Sequence, residues 1–306
     1  MDTFLAALFS GTSRGAIYAL VALGLVIVWR GAGVVNFAQM GQAMFSTYIA
    51  STLIQNGNSY WVGFFVALFA GAALGAFLDI LVMRPLSNKK KTELLSSESM
   101  RAAIPVIASL GILGVLQALA GIIWAAEERG FPAPAAQEGF TVAGSVMPFT
   151  SFDVFVISIV LITLTMTTIF FKKTGVGLAM RATALNQEVA RLSGIRTNFT
   201  RTLSWAISGA ASSLAGLLIT PTSNLSPNTL DLVLIIGFTA AVVGGLDSPA
   251  GAVLGGFIVG VVLSSLNTLL GNGRVYAYSW LFILVLIILL VRPGGLLSKG
   301  SELERV

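Results

Sequence analysis

Apolar residues run along this chain in long, nearly unbroken stretches rather than in alternation. The stretches lie at Gly15–Trp29, Val35–Leu53, Tyr60–Met83, Ala103–Trp124, Val154–Phe171, Leu203–Ile219, Leu232–Gly244, Ala250–Leu270 and Tyr278–Val291. Most approach the ~20 residues that a helix needs to cross a bilayer core. A membrane β-barrel would show alternating segments of about 10 residues instead, and no such alternation occurs. The pattern predicts an all-α fold: a polytopic helical membrane protein with about 8–9 transmembrane helices, organised as one domain over residues 1–306.

Two stretches depart from plain spans. Gly31, Ala32 and Gly33, with Asn36, Gln39 and Gln42, interrupt the entry to the second run. Gly244-Gly245-Leu246-Asp247-Ser248-Pro249 breaks another long apolar stretch. Irregular backbone at membrane depth is tolerated only inside protein or along a cavity, and paired Gly/Pro interruptions in a transporter point to its pathway. Broken or re-entrant segments are therefore expected at both places. Asn36, Gln39, Gln42 and Ser46 fall close to one helical face. That stripe must meet protein or water, as interhelical hydrogen bonds or as a pathway lining. The small-residue clusters Gly71–Gly75 and Gly209–Ser213 predict close helix packing, since lipid gives helices no hydrophobic reason to associate.

Charge fixes an expected orientation. The segment from Arg84 to Arg101 carries Arg84, Lys89, Lys90, Lys91 and Arg101 against Glu93 and Glu98. Lys172–Arg201 carries Lys172, Lys173, Arg181, Arg191, Arg196 and Arg201 against Glu188. The intervening loop has Glu127, Glu128, Glu138 and Asp153 against Arg129. The positive-inside rule places the first two loops in the cytoplasm, with the N-terminus outside, the tail after Arg292 inside, and the protein in a bacterial inner membrane. The opening Met1-Asp2-Thr3-Phe4 lacks a positive n-region, so no cleaved signal peptide is expected. Asp79 is expected at the inner interface. Arg14, just ahead of the first run, either snorkels to the outer interface or faces a cavity where it meets a substrate carboxylate. Asp247 either caps the following helix or contributes to a polar pathway wall.

Composition narrows the chemistry. Of 306 residues, 56% are hydrophobic and 10% charged, with no Cys and no His; a soluble domain carries about 25% charged residues. Thiol and imidazole catalysis and the usual Zn or Cu ligands are excluded, and no Walker-type phosphate loop is present. Neither a cofactor nor a metal is expected, nor an enzyme activity in this chain. The net charge of +5 sits in loops, which topology explains without nucleic acid.

Several segments resemble the permeases of branched-chain amino acid ABC importers, the LivH-type and LivM-type subunits. They are Gly15–Leu25 followed by Gly33-Val34-Val35-Asn36-Phe37-Ala38; Val82-Met83-Arg84-Pro85-Leu86; Gly177–Ala182 continuing through Glu188–Ile195; Ala240–Ser248 with Gly251–Gly256; and Arg292-Pro293-Gly294-Gly295-Leu296. Their order is the family's order over nearly the whole length. Two departures bear on the solute rather than the architecture: Gln39-Met40-Gly41 replaces the family's His-Gly, and Arg14 stands where a small or polar residue is usual.

The resemblance implies a permease that pairs with a second, similar permease subunit. Two ATP-binding subunits would serve the cytoplasmic face and an extracytoplasmic solute-binding protein would deliver the solute. In the loop at about 172–203, Leu178, Leu185, Val189 and Leu192 recur at helical spacing. Such a helix either lies on the bilayer surface or, as the resemblance implies, couples to the ATPase through Gly177, Arg181, Ala182, Glu188, Ala190 and Gly194. The candidate translocation residues are Arg14, Asn36, Gln39, Gln42, Ser46 and Asp247. Branched-chain amino acids are the implied solute, with urea, short amides and aromatic acids as alternatives. A stand-alone ion-coupled transporter is the rival reading; it would need an intramembrane carboxylate, for which Asp79 and Asp247 are the candidates.

Overall fold

A computed structural model describes residues 2–86, 98–142, 145–269, 274–292 and 294–297. The helices are α1 (Asp2–Ala32), α2 (Gln39–Gln55), α3 (Tyr60–Leu78), α4 (Glu98–Trp124), α5 (Ser151–Lys173), α6 (Gly175–Leu185), α7 (Gln187–Leu192), α8 (Thr197–Ile219), α9 (Asp231–Gly244), α10 (Pro249–Leu269) and α11 (Arg274–Val291). Each apolar run marked in the sequence has a helix over most of its described length. Six are long and apolar enough to cross a bilayer: Ala7–Ala32, Tyr60–Leu86, Ala103–Trp124, Ser151–Lys173, Thr197–Thr222 and Pro249–Leu269. α9 and α11 are shorter apolar helices, and α2 carries the polar stripe. The chain is an all-α polytopic membrane protein.

Three local features differ from the expectation. α1 reaches back to Asp2, so the first span starts well before Gly15. The second run does not become helical at Val35: Gly33 takes φ +70°, the chain turns, and α2 begins at Gln39. The acidic loop contains an antiparallel hairpin of β1 (Gly139–Val142) and β2 (Ser145–Thr150). That loop had been read by charge alone, which carries no strand signal. The basic triplet Lys89–Lys91 and Glu93 lie outside the described residues.

The chain divides into two compact units. Unit 1 comprises Met1–Val26, Ala133–Ile162 and Ile235–Val306. Its helices approach almost backbone to backbone. A Cβ added at Gly15 would meet Phe257 Cα at 3.0 Å, one at Gly11 would meet Val261 Cα at 2.8 Å, and ones at Gly256 and Gly260 would overlap Ala19 and Gly15. α9 and α10 close in the same way, Gly244 against Gly251 and Gly255 against the Ala240 carbonyl. Dispersion between closely approached backbones is what holds such helices together in lipid.

Two of the family-like motifs meet at the end of α9. Leu296 N–H donates to the Val243 carbonyl at 2.9 Å, and Leu297 N–H to that of Gly244 at 3.2 Å. These bonds satisfy carbonyls that a helix C-terminus leaves unpaired. Gly295, at φ +87°, has room for no Cβ, which would lie 2.5 Å from Gly245 N.

Unit 2 comprises Ile27–Pro132 and Thr163–Leu234, with α8 packed on both α2 and α3. The two small-residue clusters face each other here. A Cβ at Gly71 would strike Ser213 and the Gly209 carbonyl, and one at Gly75 would overlap the Trp205 carbonyl. α4 closes the other side of α2. Trp124 stacks on Tyr48 with ring centres 5.0 Å apart, and its Nε1 donates to Thr52 Oγ1 at 2.7 Å.

Candidate functional site

In unit 2 the four polar residues expected on one helical face are fully buried, but only Gln39, Gln42 and Ser46 lie on α2; Asn36 stands ahead of it in the turn. The α2 stripe faces α8. Ser208 Oγ donates to Gln39 Oε1 at 3.3 Å, and Ser46 Oγ to Ser213 Oγ at 2.7 Å. The Nδ2 and Oδ1 atoms of Asn36 and the Nε2 and Oε1 atoms of Gln42 are buried without a hydrogen-bond partner. Leaving a buried polar group unpaired costs about 1–3 kcal/mol. The seam is therefore polar but incompletely satisfied, unlike an ordinary helix interface.

At one end of this seam lies a charge cluster. α3 passes into a π-helical turn, Asp79–Met83, and then a helical turn at Arg84–Leu86. Such turns are frequent at functional sites. Asp79 is wholly buried within the protein, and Arg201 Nε lies 2.9 Å from its Oδ1. The pair is an ion pair without hydrogen-bond alignment at those atoms. Thr202 Oγ1 sits 2.6 Å from Asp79 Oδ2, Arg84 Nη2 donates to Thr202 Oγ1 at 2.6 Å, and Arg84 lies 3.8 Å from the same carboxylate. The sequence reading placed Arg201 in a loop, but α8 begins at Thr197 and draws Arg201 into the packed interior. A charge there is sustained only by a partner. The available signal was an acid and a base, each at the edge of a different apolar run.

The expected coupling helix is two helices. α6 is capped by Thr174, whose Oγ1 accepts from Gly177 N–H at 2.9 Å. It ends at Asn186, which is extended at φ −155° and ψ 110°. The Asn186 side chain then caps α7, accepting from Glu188 N–H at 2.9 Å and Val189 N–H at 3.1 Å. An Asn that satisfies backbone donors through its own side chain competes with helix continuation, and the apolar periodicity could not show that. Arg181 and Glu188 therefore lie on different helices. α7 closes as Gly194, at φ +82°, donates to the Arg191 carbonyl at 3.0 Å and Ile195 to that of Ala190 at 3.0 Å. This is a Schellman-type stop.

α6 and α7 both pack on α8, and Thr183 Oγ1 approaches Thr200 Oγ1 to 3.3 Å. Gly177 is buried against Phe170 and Phe171 at the end of α5, Ala190 is buried, and Arg181 and Ala182 are half-buried. Glu188 and Gly194 are exposed, as are Leu185 at 87%, Val189 at 56% and Leu192 at 89%. The apolar periodicity thus marks the outward face, whereas the small residues serve intramolecular packing.

In unit 1, Arg14 lies within α1 and is the exposed residue in the otherwise enclosed stretch Gly11–Val28. It stands seven residues inside the apolar segment Ala7–Ala32, a rise of about 10 Å. It is therefore not at the start of a span. Asp247 is exposed in the turn between α9 and α10. The capping role expected of it falls to Ser248, whose Oγ accepts from Gly251 N–H at 3.0 Å.

This arrangement is a helical membrane subunit with a buried polar seam and a capped, outward-facing helical pair, and no metal-holding cluster occurs among the described residues. The family described as branched-chain amino acid transport system, permease component, matches residues 7–291, and the chain belongs to that family. It is a permease subunit of an ABC importer. It is 28% identical to the high-affinity branched-chain amino acid transport system permease protein LivH of Salmonella typhimurium, over 99% of this chain and 98% of that one. A probable LivH of Methanocaldococcus jannaschii is 32% identical over 90% of this chain and 87% of its own length. The fructose import permease FruF of Bifidobacterium longum is 24% identical over 95% and 79% respectively. No solved structure matches the chain.

Proposed function

We propose that this permease carries branched-chain amino acids or closely related small solutes inward across a bacterial inner membrane. It pairs with a second permease, takes solute from an extracytoplasmic binding protein and is driven by two ATP-binding subunits. The names of the LivH relatives support the solute class. The basic segments at Arg84–Arg101 and Lys172–Arg201 support a cytoplasmic position for α6 and α7, with the N-terminus outside and the tail inside.

The observation that carries the reading is the pair α6–α7, capped at both ends, anchored on α8 and presenting Leu185, Val189 and Leu192 outward. A rigid element with exposed apolar side chains suits docking on a partner, and its seat on α8 lets a push on the pair reach the polar seam. Asn36 and Gln42, unpartnered where they are, gain hydrogen bonds when the seam opens to water or solute. Arg14 is exposed without such an opening and offers a cation to a solute carboxylate; Asp247 is exposed as well. Asp79 is paired with Arg201, which leaves it poorly suited to the coupling-ion role that a stand-alone transporter requires.

Leu185→Asp with Leu192→Asp tests the docking role without touching the interior. The doubly substituted permease should insert and melt like the parent. In the reconstituted importer, ATP hydrolysis stimulated by leucine-loaded binding protein should drop at least tenfold. Stimulation at the parental level would show that the pair does not couple.

A further inference from the structure

Beside the Asp79–Arg201 pair, unit 2 holds a cavity of about 560 Å³ that transport chemistry does not account for. It is lined by Ile80, Arg84, Arg191 and Arg196 and by the first turns of α8, through Thr202. No carboxylate lines it among the described residues. Arg84 is shared with Asp79 behind the wall, but Asp79 is already neutralised by Arg201 at 2.9 Å. The cluster of Asp79, Arg84 and Arg201 thus retains one positive charge, and Arg191 and Arg196 add two more.

The backbone adds to this field. The residue ahead of α8 is Arg196, which supplies no side-chain acceptor to the first turn. A 23-residue helix therefore points its positive end at a cavity already lined with guanidinium groups. The helix dipole and the arginines are each suited to a phosphate. The Nε of Arg84 is buried without a hydrogen-bond partner, so that side chain has unused donor capacity.

Depth identifies the source of the phosphate. The apolar segment Tyr60–Leu86 ends at this cavity and Thr197–Thr222 begins there, which sets it at the height of lipid headgroups. Ile80 and Phe199, at 50% and 56% exposure, add apolar surface beside the arginines, suited to acyl chains. Basic pockets between membrane helices hold anionic headgroups in this way. We propose that the cavity binds the phosphate of an anionic phospholipid, held by Arg84, Arg191, Arg196 and the start of α8. The proposal does not depend on which solute is carried.

The test uses the full-length permease in neutral detergent, with phosphatidylglycerol, phosphatidylcholine and inorganic phosphate as probes. Bound lipid is counted by native mass spectrometry and stability is followed by thermal melting. Phosphatidylglycerol should be retained in preference to phosphatidylcholine and should raise the melting temperature. Arg191→Gln with Arg196→Gln, both on exposed side chains, should weaken that retention about 30-fold without changing the melting temperature in phosphatidylcholine. Arg191→Lys with Arg196→Lys should restore most of it. Undiminished retention by the glutamine variant overturns the site. Displacement of the lipid by millimolar phosphate, with the same melting shift, overturns the lipid in favour of a free anion. Displacement on addition of the ATP-binding subunit overturns it in favour of a protein segment.

Discussion

The two units hold their helices together by different means. Unit 1 relies on glycine: α1, α9 and α10 approach until Gly256 lies against the Ala19 backbone and Gly244 against Gly251. Its buried polar side chains are few, such as Ser13, Thr239 and Ser264. Unit 2 uses glycine as well, at Gly71, Gly75 and Gly209, but lays a polar seam along the same interface. Gln39, Gln42 and Ser46 on one side face Ser208, Gly209 and Ser213 on α8. A backbone-to-backbone contact has one optimum and resists change, because every neighbour must move together. Hydrogen bonds in a seam can be exchanged for water or solute at little net cost. The coupling candidates α6 and α7 sit on α8, the helix that carries this exchangeable side.

The contrast can be broken at its rigid end first. Gly256→Val in unit 1 should leave no monodisperse folded permease in detergent, since the new side chain displaces the Ala19 backbone itself and overpacking of this kind exceeds the usual ~1–3 kcal/mol. A variant that purifies and melts within a few degrees of the parent would contradict the backbone-contact account.

A smaller loss is expected at the charge cluster. Arg201→Met removes the nearer cation from Asp79 and leaves it Thr202 and the more distant Arg84; it should cost about 3 kcal/mol, while Arg201→Met with Asp79→Leu should recover most of that. Equilibrium unfolding of the single and double variants measures the difference. If the double variant is no better than the single one, the pair is not an isolated electrostatic unit.

The seam should give the smallest effect. A double-mutant cycle of Ser46→Ala and Ser213→Ala should return a coupling of about 0.6 kcal/mol. Uptake should be more sensitive than stability, and a coupling above about 2 kcal/mol would make the seam as rigid as unit 1.

The amino-acid sequence by itself determined where the helices are and that they belong in a membrane. Transfer of a run such as Ser151–Lys173 into lipid is a sum over its own residues, so no distant neighbour is needed to read it. Family motifs were legible for the same reason, each being local. The sequence also marked Gly71–Gly75 and Gly209–Ser213 as packing surfaces without showing that they pack on each other. Tertiary structure alone decided what each polar residue meets. It paired Asp79 with Arg201, turned the α2 stripe onto α8, left Arg14 exposed within α1 and brought Leu296 to the carbonyl at the end of α9. Partner choice is a property of three-dimensional packing: in lipid a polar atom takes whichever partner the folded helices bring within reach, and residues far apart along the chain compete for that place.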